Sequence, residues 1–136
     1  MNDGLLDTNV VVHIFDPPPL GSECAAFLQA VAAGRIRTVL DPLVVHELTY
    51  VLPRVRKTMQ RADVAQFLVD LVNLPGVIAD KNLLVETLQR WGGTTGLGFV
   101  DAYLVTRSER EQRLLYTKNV RELTTLGASI PTVLPS

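Results

Sequence analysis

The feature that most limits how this chain can fold is an alternation of very short apolar runs with longer amphipathic stretches, the junctions marked by capping or turn residues. Leu5-Leu6, Thr38-Val39-Leu40, Val77-Ile78-Ala79 and Leu114-Leu115-Tyr116 are too short for helices and predict buried strands, with Thr132-Val133-Leu134 as an edge strand. Val10 to Phe15 predicts a short helix, and Ser22 an N-cap for a helix through Ala33, with Gly34 just past its end. Asp41-Pro42 is a cap followed by a first-turn proline, opening a helix that Pro53 is expected to stop. Further helices are predicted from Ala62 to Val72, from Asp80 to Trp91-Gly92, and from the glycine-rich segment to about Glu109. Asn119 and Glu122 have capping-box spacing for a last helix reaching Leu126. Such alternation predicts an α/β fold in three layers, a central parallel sheet of four to five short strands flanked by helices, in a single domain over residues 1–136.

Composition narrows the setting. No apolar run approaches the roughly 18 residues of a membrane span, so no membrane partner is expected. The start, Met-Asn-Asp-Gly, lacks the pattern of a signal peptide, and a cytoplasmic location is the default expectation. The lone Cys24 leaves no partner for an internal disulfide or a cysteine zinc site, and it lies on an apolar helix face as a small hydrophobe.

Three carboxylates stand in apolar surroundings. Asp7 lies between Leu5-Leu6 and Val10-Val11-Val12. Glu47 has Leu43, Val44, Tyr50 and Val51 three and four residues away, and Asp101 has Leu97, Gly98, Leu104 and Val105. Residues at those offsets share a helix face, so both acids are expected to point into an apolar stripe. A buried carboxylate neutralises, pairs with a cation or binds a metal, and no Lys or Arg lies at these offsets. Asp70, Glu86 and Glu109, by contrast, have polar neighbours and read as the wet edges of amphipathic helices. Setting the three aside leaves 11 acids against 13 basic residues, a surface near +2. Arg54, Arg56, Lys57 and Arg61 form the clearest basic concentration and are candidates for gripping nucleic-acid phosphates; a solvated loop and helix start is the competing reading.

Four segments together resemble a known family. Leu6-Asp7-Thr8-Asn9-Val10, Pro42-Leu43-Val44-Val45-His46-Glu47-Leu48, Phe99-Val100-Asp101-Ala102-Tyr103-Leu104 and Tyr116-Thr117-Lys118-Asn119-Val120-Arg121-Glu122-Leu123 occur in the order of the PIN-domain ribonucleases, and among them of the VapC-type toxins. The resemblance spans nearly the whole chain. It implies a parallel α/β sandwich, a Mg²⁺- or Mn²⁺-dependent phosphodiesterase site acting on RNA, and a cognate antitoxin partner; a homodimer is a separate expectation. One departure concerns the last segment, where the family often has an acid and this chain has Asn119; an amide can orient a water but adds no charge, and Glu122 is the alternative carboxylate.

Hard oxygen ligands suit Mg²⁺ or Mn²⁺ independently of any family. On this reading Asp7 and Asp101 hold the first ion, Glu47 holds or deprotonates the attacking water, and Asn119, with Glu122 behind it, shapes a second position. Thr8 and Thr117 are candidate hydroxyl partners, against which stands a local backbone bond after a strand. Competing readings exist for the others too: a turn or cap for Asp7, a salt bridge to a distant Arg for Glu47 and Asp101, and a capping box for Asn119 with Glu122. His46 and His13 read as packing or surface residues, and Trp91 as a core or interface anchor. Gly92-Gly93-Thr94-Thr95-Gly96-Leu97-Gly98 lacks the Gly-Lys-Ser/Thr ending of a phosphate loop and reads as a rim loop. A signalling receiver domain would need adjacent N-terminal acids, which are missing, and Asn9 breaks the Asp-x-Asp pattern of a phosphatase. The alternative to a nuclease is a catalytically impaired RNA- or protein-binding module, for which Asn119 is the argument. The apolar residues Leu68-Val69 and Leu71-Val72 are a candidate seat for an antitoxin segment or a second copy, with ordinary core burial as the competing reading.

Overall fold

The structure is a computed structural model describing residues 3–131 and 133–136. Its sheet has three parallel two-residue strands in the order β1 (Gly4–Leu5), β2 (Thr38–Val39), β3 (Val77–Ile78). Gly4 lies opposite Thr38, and Thr38 opposite Val77. Parallel neighbours need long crossovers. The first is made by α1 (Thr8–Val12), which runs on into a 3-10 turn at His13–Phe15, and by α2 (Leu20–Ala32); the second by α3 (Pro42–Val55) and α4 (Arg61–Val72). After β3 come α5 (Lys81–Gly93), α6 (Phe99–Glu111) and α7 (Val120–Thr125).

Local chemistry explains the helix ends. The Asp41 carboxylate accepts the Leu43 N–H at 2.8 Å, and Pro42 fills the first helical position, where no amide hydrogen is needed. Asp80 accepts the Leu83 N–H at 3.3 Å. At α4 the box is turned around, with the Gln60 N–H donating to Asp63 Oδ2 at 2.9 Å. Gly34 ends α2 at φ +76°, a conformation costly for other residues. Gly76 brings two backbones together, its N–H donating to Val31 O at 2.9 Å and its carbonyl accepting from Thr38; a Cβ there would collide with the Ile36 carbonyl. The core joins the helices to β2, β3 and Leu6 just past β1, with Val11, Leu40, Leu48, Leu68, Leu84, Leu88, Val105 and Leu123 fully or almost fully buried, while Leu5 in β1 itself is exposed.

Four expectations need correction. The described sheet has three strands rather than four to five. Leu115 is buried and its N–H donates to Ser129 O at 2.9 Å, but Leu114 and Tyr116 are exposed and the segment forms no ladder. Of the expected edge strand, Thr132 lies outside the described residues and Val133-Leu134 carry no strand. Pro53 does not stop its helix: α3 continues to Val55, since a proline so near the end forfeits little of the hydrogen-bond ladder while buried Leu52 anchors the turn. α2 opens at Leu20 after Pro19 rather than at Ser22. Finally, Leu68, Leu71 and Val72 are core, and Val69 packs against it, so that stretch is no open docking face. No helix among the described residues is long and apolar enough to cross a membrane.

Candidate metal centre

The candidate site starts at the carboxyl edge of the sheet, where parallel α/β folds place their chemistry. Leu6 extends the edge strand by donating to Val39 O at 2.9 Å, and the chain turns out at Asp7, the N-cap residue of α1 (φ −89°, ψ 148°). Asp7 occupies the cap position without performing the cap, for its exposed carboxylate accepts no capping hydrogen bond. Beside it the Thr8 hydroxyl is buried without a hydrogen-bond partner among the described residues.

Glu47 does not point into the core. The buried face of α3 is Val45, Leu48, Thr49 and Leu52, a stripe with the same helical spacing as the one expected. Leu43 and Tyr50, the neighbours assigned to a buried face, are 75% and 45% exposed, and Glu47 is exposed with them. Asp101 is half-buried in the first turn of α6, where the positive end of the helix dipole favours a carboxylate. The three acids are therefore exposed or half-exposed, not buried.

What distinguishes them is the lack of partners. Arginines pair with Asp3, Glu86, Glu109 and Glu111. Glu111, gripped first by Arg107 and then by Arg113, has its carboxyl pushed down to about 2. The His13 imidazole holds Asp16, and backbone or side-chain amides hold Asp41, Asp63, Asp70, Asp80 and Glu122. Among the described residues, only Glu23 joins Asp7, Glu47 and Asp101 in having neither an ion pair nor a side-chain hydrogen bond. The salt-bridge reading of Glu47 and Asp101 is thereby overturned.

α1 packs against α3 and α3 against α6, so the elements carrying these acids adjoin. Among the described residues no three His, Cys, Asp or Glu groups gather closely enough to cage an ion. A divalent ion still fits the donor set. Mg²⁺ keeps several waters and uses one or two carboxylates, so it does not require a closed cage of three. The unpartnered hydroxyl of Thr8 beside Asp7 is a group that such a water would satisfy.

The last motif is arranged differently from the first three. Asn119 precedes α7, but its side chain does not cap it; its Nδ2 donates to Glu122 Oε2 at 3.0 Å. The Thr117 hydroxyl accepts the Asn119 N–H at 3.1 Å, the local backbone bond weighed against a role in the site. Asn119 and Glu122 line a shallow hollow with Thr94, and Asp7, Glu47 and Asp101 do not line it. The basic group also divides. Arg61 turns inward, donating to Trp91 O at 2.6 Å and to Leu97 O while lying 4.3 Å over the Trp91 ring; burial lowers its pKa. Arg54 and Arg56 lie over Tyr50 and Phe15, and Lys57 is exposed.

One arrangement went unread in the sequence. His46, Tyr50 and Arg54 recur at intervals of four on α3, and Phe99, Tyr103 and Arg107 do the same on α6. The two triplets meet: the His46 and Phe99 rings stack at 5.6 Å with planes 13° apart. The repeated interval was the signal that could have revealed them.

No curated protein and no solved structure matches the chain. The family model of the PIN domain does, over residues 4–121, a span that contains Asp7, Glu47, Asp101 and Asn119. A parallel sheet flanked by helices, with acids at and beyond its carboxyl edge, accords with that match, and the chain belongs to the PIN domain family, whose members are generally metal-dependent nucleases.

Proposed function

We propose that this chain is a Mg²⁺- or Mn²⁺-dependent endoribonuclease, the VapC-type toxin of a toxin–antitoxin pair. The observation that carries the nuclease reading is the set of three carboxylates on adjoining elements that no cation or amide of the described chain engages. The RNA substrate and the toxin role rest on the resemblance of the four motifs, and a cognate antitoxin and a second copy of the chain are the partners that go with them.

A divalent ion, when bound, neutralises a phosphodiester and makes water a better nucleophile. Asp7 and Asp101 are the residues to hold it. Glu47, exposed on the neighbouring helix, takes the proton from the attacking water. Thr8 orients a water beside Asp7 through its otherwise idle hydroxyl. Asn119 and Glu122 engage each other in a hollow that the three acids do not line, so the reading rests on Asp7, Glu47 and Asp101 alone.

The test is cleavage of labelled RNA with and without Mn²⁺. Asp7→Asn and Asp101→Asn should abolish cleavage with the circular dichroism spectrum unchanged, and Glu47→Gln should slow it by roughly 10²–10⁴-fold, the usual worth of a general base. Expression of the wild type should arrest growth, and co-expression of the adjacent gene's product should relieve it. RNA binding with no cleavage in either ion would instead favour the impaired module, for which the engagement of Asn119 by Glu122 is the supporting contact.

A further inference from the structure

We infer that the aromatic column shared by α3 and α6 is a stacking site for the bases of single-stranded RNA, and that the apolar hollow beside it receives an unpaired base. The inference takes its ligand class from the nuclease reading, but its evidence is separate. Six side chains form one continuous line: Arg54, Tyr50, His46, Phe99, Tyr103, Arg107. Tyr50 meets His46 edge-on at 5.7 Å and 79°, His46 stacks on Phe99, and Phe99 lies 6.3 Å from Tyr103 with planes 21° apart. Each end is closed by a guanidinium over a ring, Arg54 at 5.6 Å from Tyr50 and Arg107 at 5.8 Å from Tyr103.

The line is not simply core. Phe99 is 5% exposed and acts as the spacer that holds its neighbours parallel, whereas Tyr50 is exposed and His46 and Tyr103 are half-exposed. His46, Phe99 and Tyr103 also form one wall of an open hollow of about 380 Å³, lined otherwise by Asp41, Pro42, Leu43, Val100 and Leu104. That volume lies within the range of small-ligand sites, about 300–1,000 Å³. A nucleobase has two flat apolar faces and stacks on aromatic rings whatever its identity.

Charge selects a nucleic acid over an apolar helix as the occupant. An arginine stands at each end of the column: Arg54 makes no ion pair among the described residues, so a strand laid along the rings meets a phosphate partner there, whereas Arg107 is held by Glu111 at 2.6 and 3.1 Å and meets a phosphate only in competition with that carboxylate. A duplex is excluded because its bases already stack on each other. Placement joins the column to the acids: His46 precedes Glu47, and Asp101 lies between Phe99 and Tyr103 in the chain.

The experiment measures binding, not cleavage, using the full chain carrying Asp7→Asn and a fluorescent single-stranded RNA of about twelve nucleotides, within the usual range of site sizes. A matching strand with abasic central positions and a duplex of the same sequence are the controls. The intact strand should bind more tightly than the abasic one by roughly 5- to 150-fold per stacked base. Tyr103→Ala and Tyr50→Ala should each erase much of that difference without altering abasic binding, and Tyr103→Phe should restore it, which separates stacking from loss of fold. Equal affinity for intact and abasic strands would overturn the inference. So would unchanged discrimination in Tyr103→Ala, or a Leu43→Glu change that splits a dimer while RNA affinity stays constant, which marks a protein interface. Base discrimination without Mn²⁺-dependent cleavage would defeat the nuclease reading and leave the column standing; cleavage without discrimination would do the reverse.

Discussion

Thr8 shows how a single residue connects fold and site. Its hydroxyl is buried next to Asp7 and donates to nothing among the described residues, although buried donors nearly always find acceptors. If the hydroxyl serves only a water at the site, removing it relieves a desolvation penalty. Thr8→Val should then raise the stability of the ion-free chain by about 1–3 kcal/mol in urea unfolding, while slowing cleavage. A loss of stability would show that the hydroxyl has a structural partner in solution. The apolar neighbours of Asp7, Glu47 and Asp101 single them out in the sequence, and the structure leaves them, with Glu23, without a partner among the described residues, but the burial expected of them is not found. Burial was inferred from apolar residues at helical offsets, yet α3 offers two such stripes, one through Leu43, Tyr50 and Val51 and one through Val45, Leu48 and Leu52. Periodicity cannot choose between them, because both satisfy it equally; only the packing of α3 against α1 and α6 does.

At the scale of elements, Arg61 at the start of α4 is the tie between distant segments. It reaches the last turn of α5 at Trp91 O and the glycine-rich segment at Leu97 O, two residues before α6 begins. The sequence placed it with Arg54, Arg56 and Lys57 because the four are close in the chain, and chain proximity says nothing about which way a guanidinium turns. Arg61→Ala removes two hydrogen bonds to a charged donor and a cation–π contact, and should cost about 2–4 kcal/mol in urea unfolding. Arg61→Lys should recover little, since an ammonium cannot make both bonds and lie flat on the Trp91 ring. A loss below about 0.5 kcal/mol, typical of a surface substitution, would mean the tie is dispensable. The capped elements were the legible ones. Asp41-Pro42 acts as expected and α5 begins directly after Asp80, whereas Pro53 and Ser22 do not, because a proline or a serine states a preference that neighbouring burial can override.

For the molecule as a whole, an ion that binds the native state and not the unfolded chain must raise stability. With Mn²⁺ at about a hundred times its dissociation constant the gain is about 2.7 kcal/mol, which for a chain of this size is a rise of roughly 5–10 °C in Tm. Calorimetry should find such a rise in the wild type and a much smaller one in Asp7→Asn. An equal rise in both would place the ion elsewhere, and no rise in either would remove it from the account. The α/β class and parallel sense of the sheet were legible from the spacing of short apolar runs. The strand count was not, because Leu114-Leu115-Tyr116 has the alternation of a strand but only one inter-segment bond, and a ladder depends on a partner that the run itself does not encode.

The two-residue strands have one more implication. A ladder with so few rungs cannot hold its own alignment: a slip of one residue would discard half of it and turn every strand side chain to the opposite face. The alignment is therefore kept by the core around the strands, which Leu6, Leu40 and Val77 enter together with the leucines and valines of the helices. Such a sheet cannot outlast the helices that align it, and the ledge on which Asp7 rests should vanish in the same cooperative step as α1 and α3.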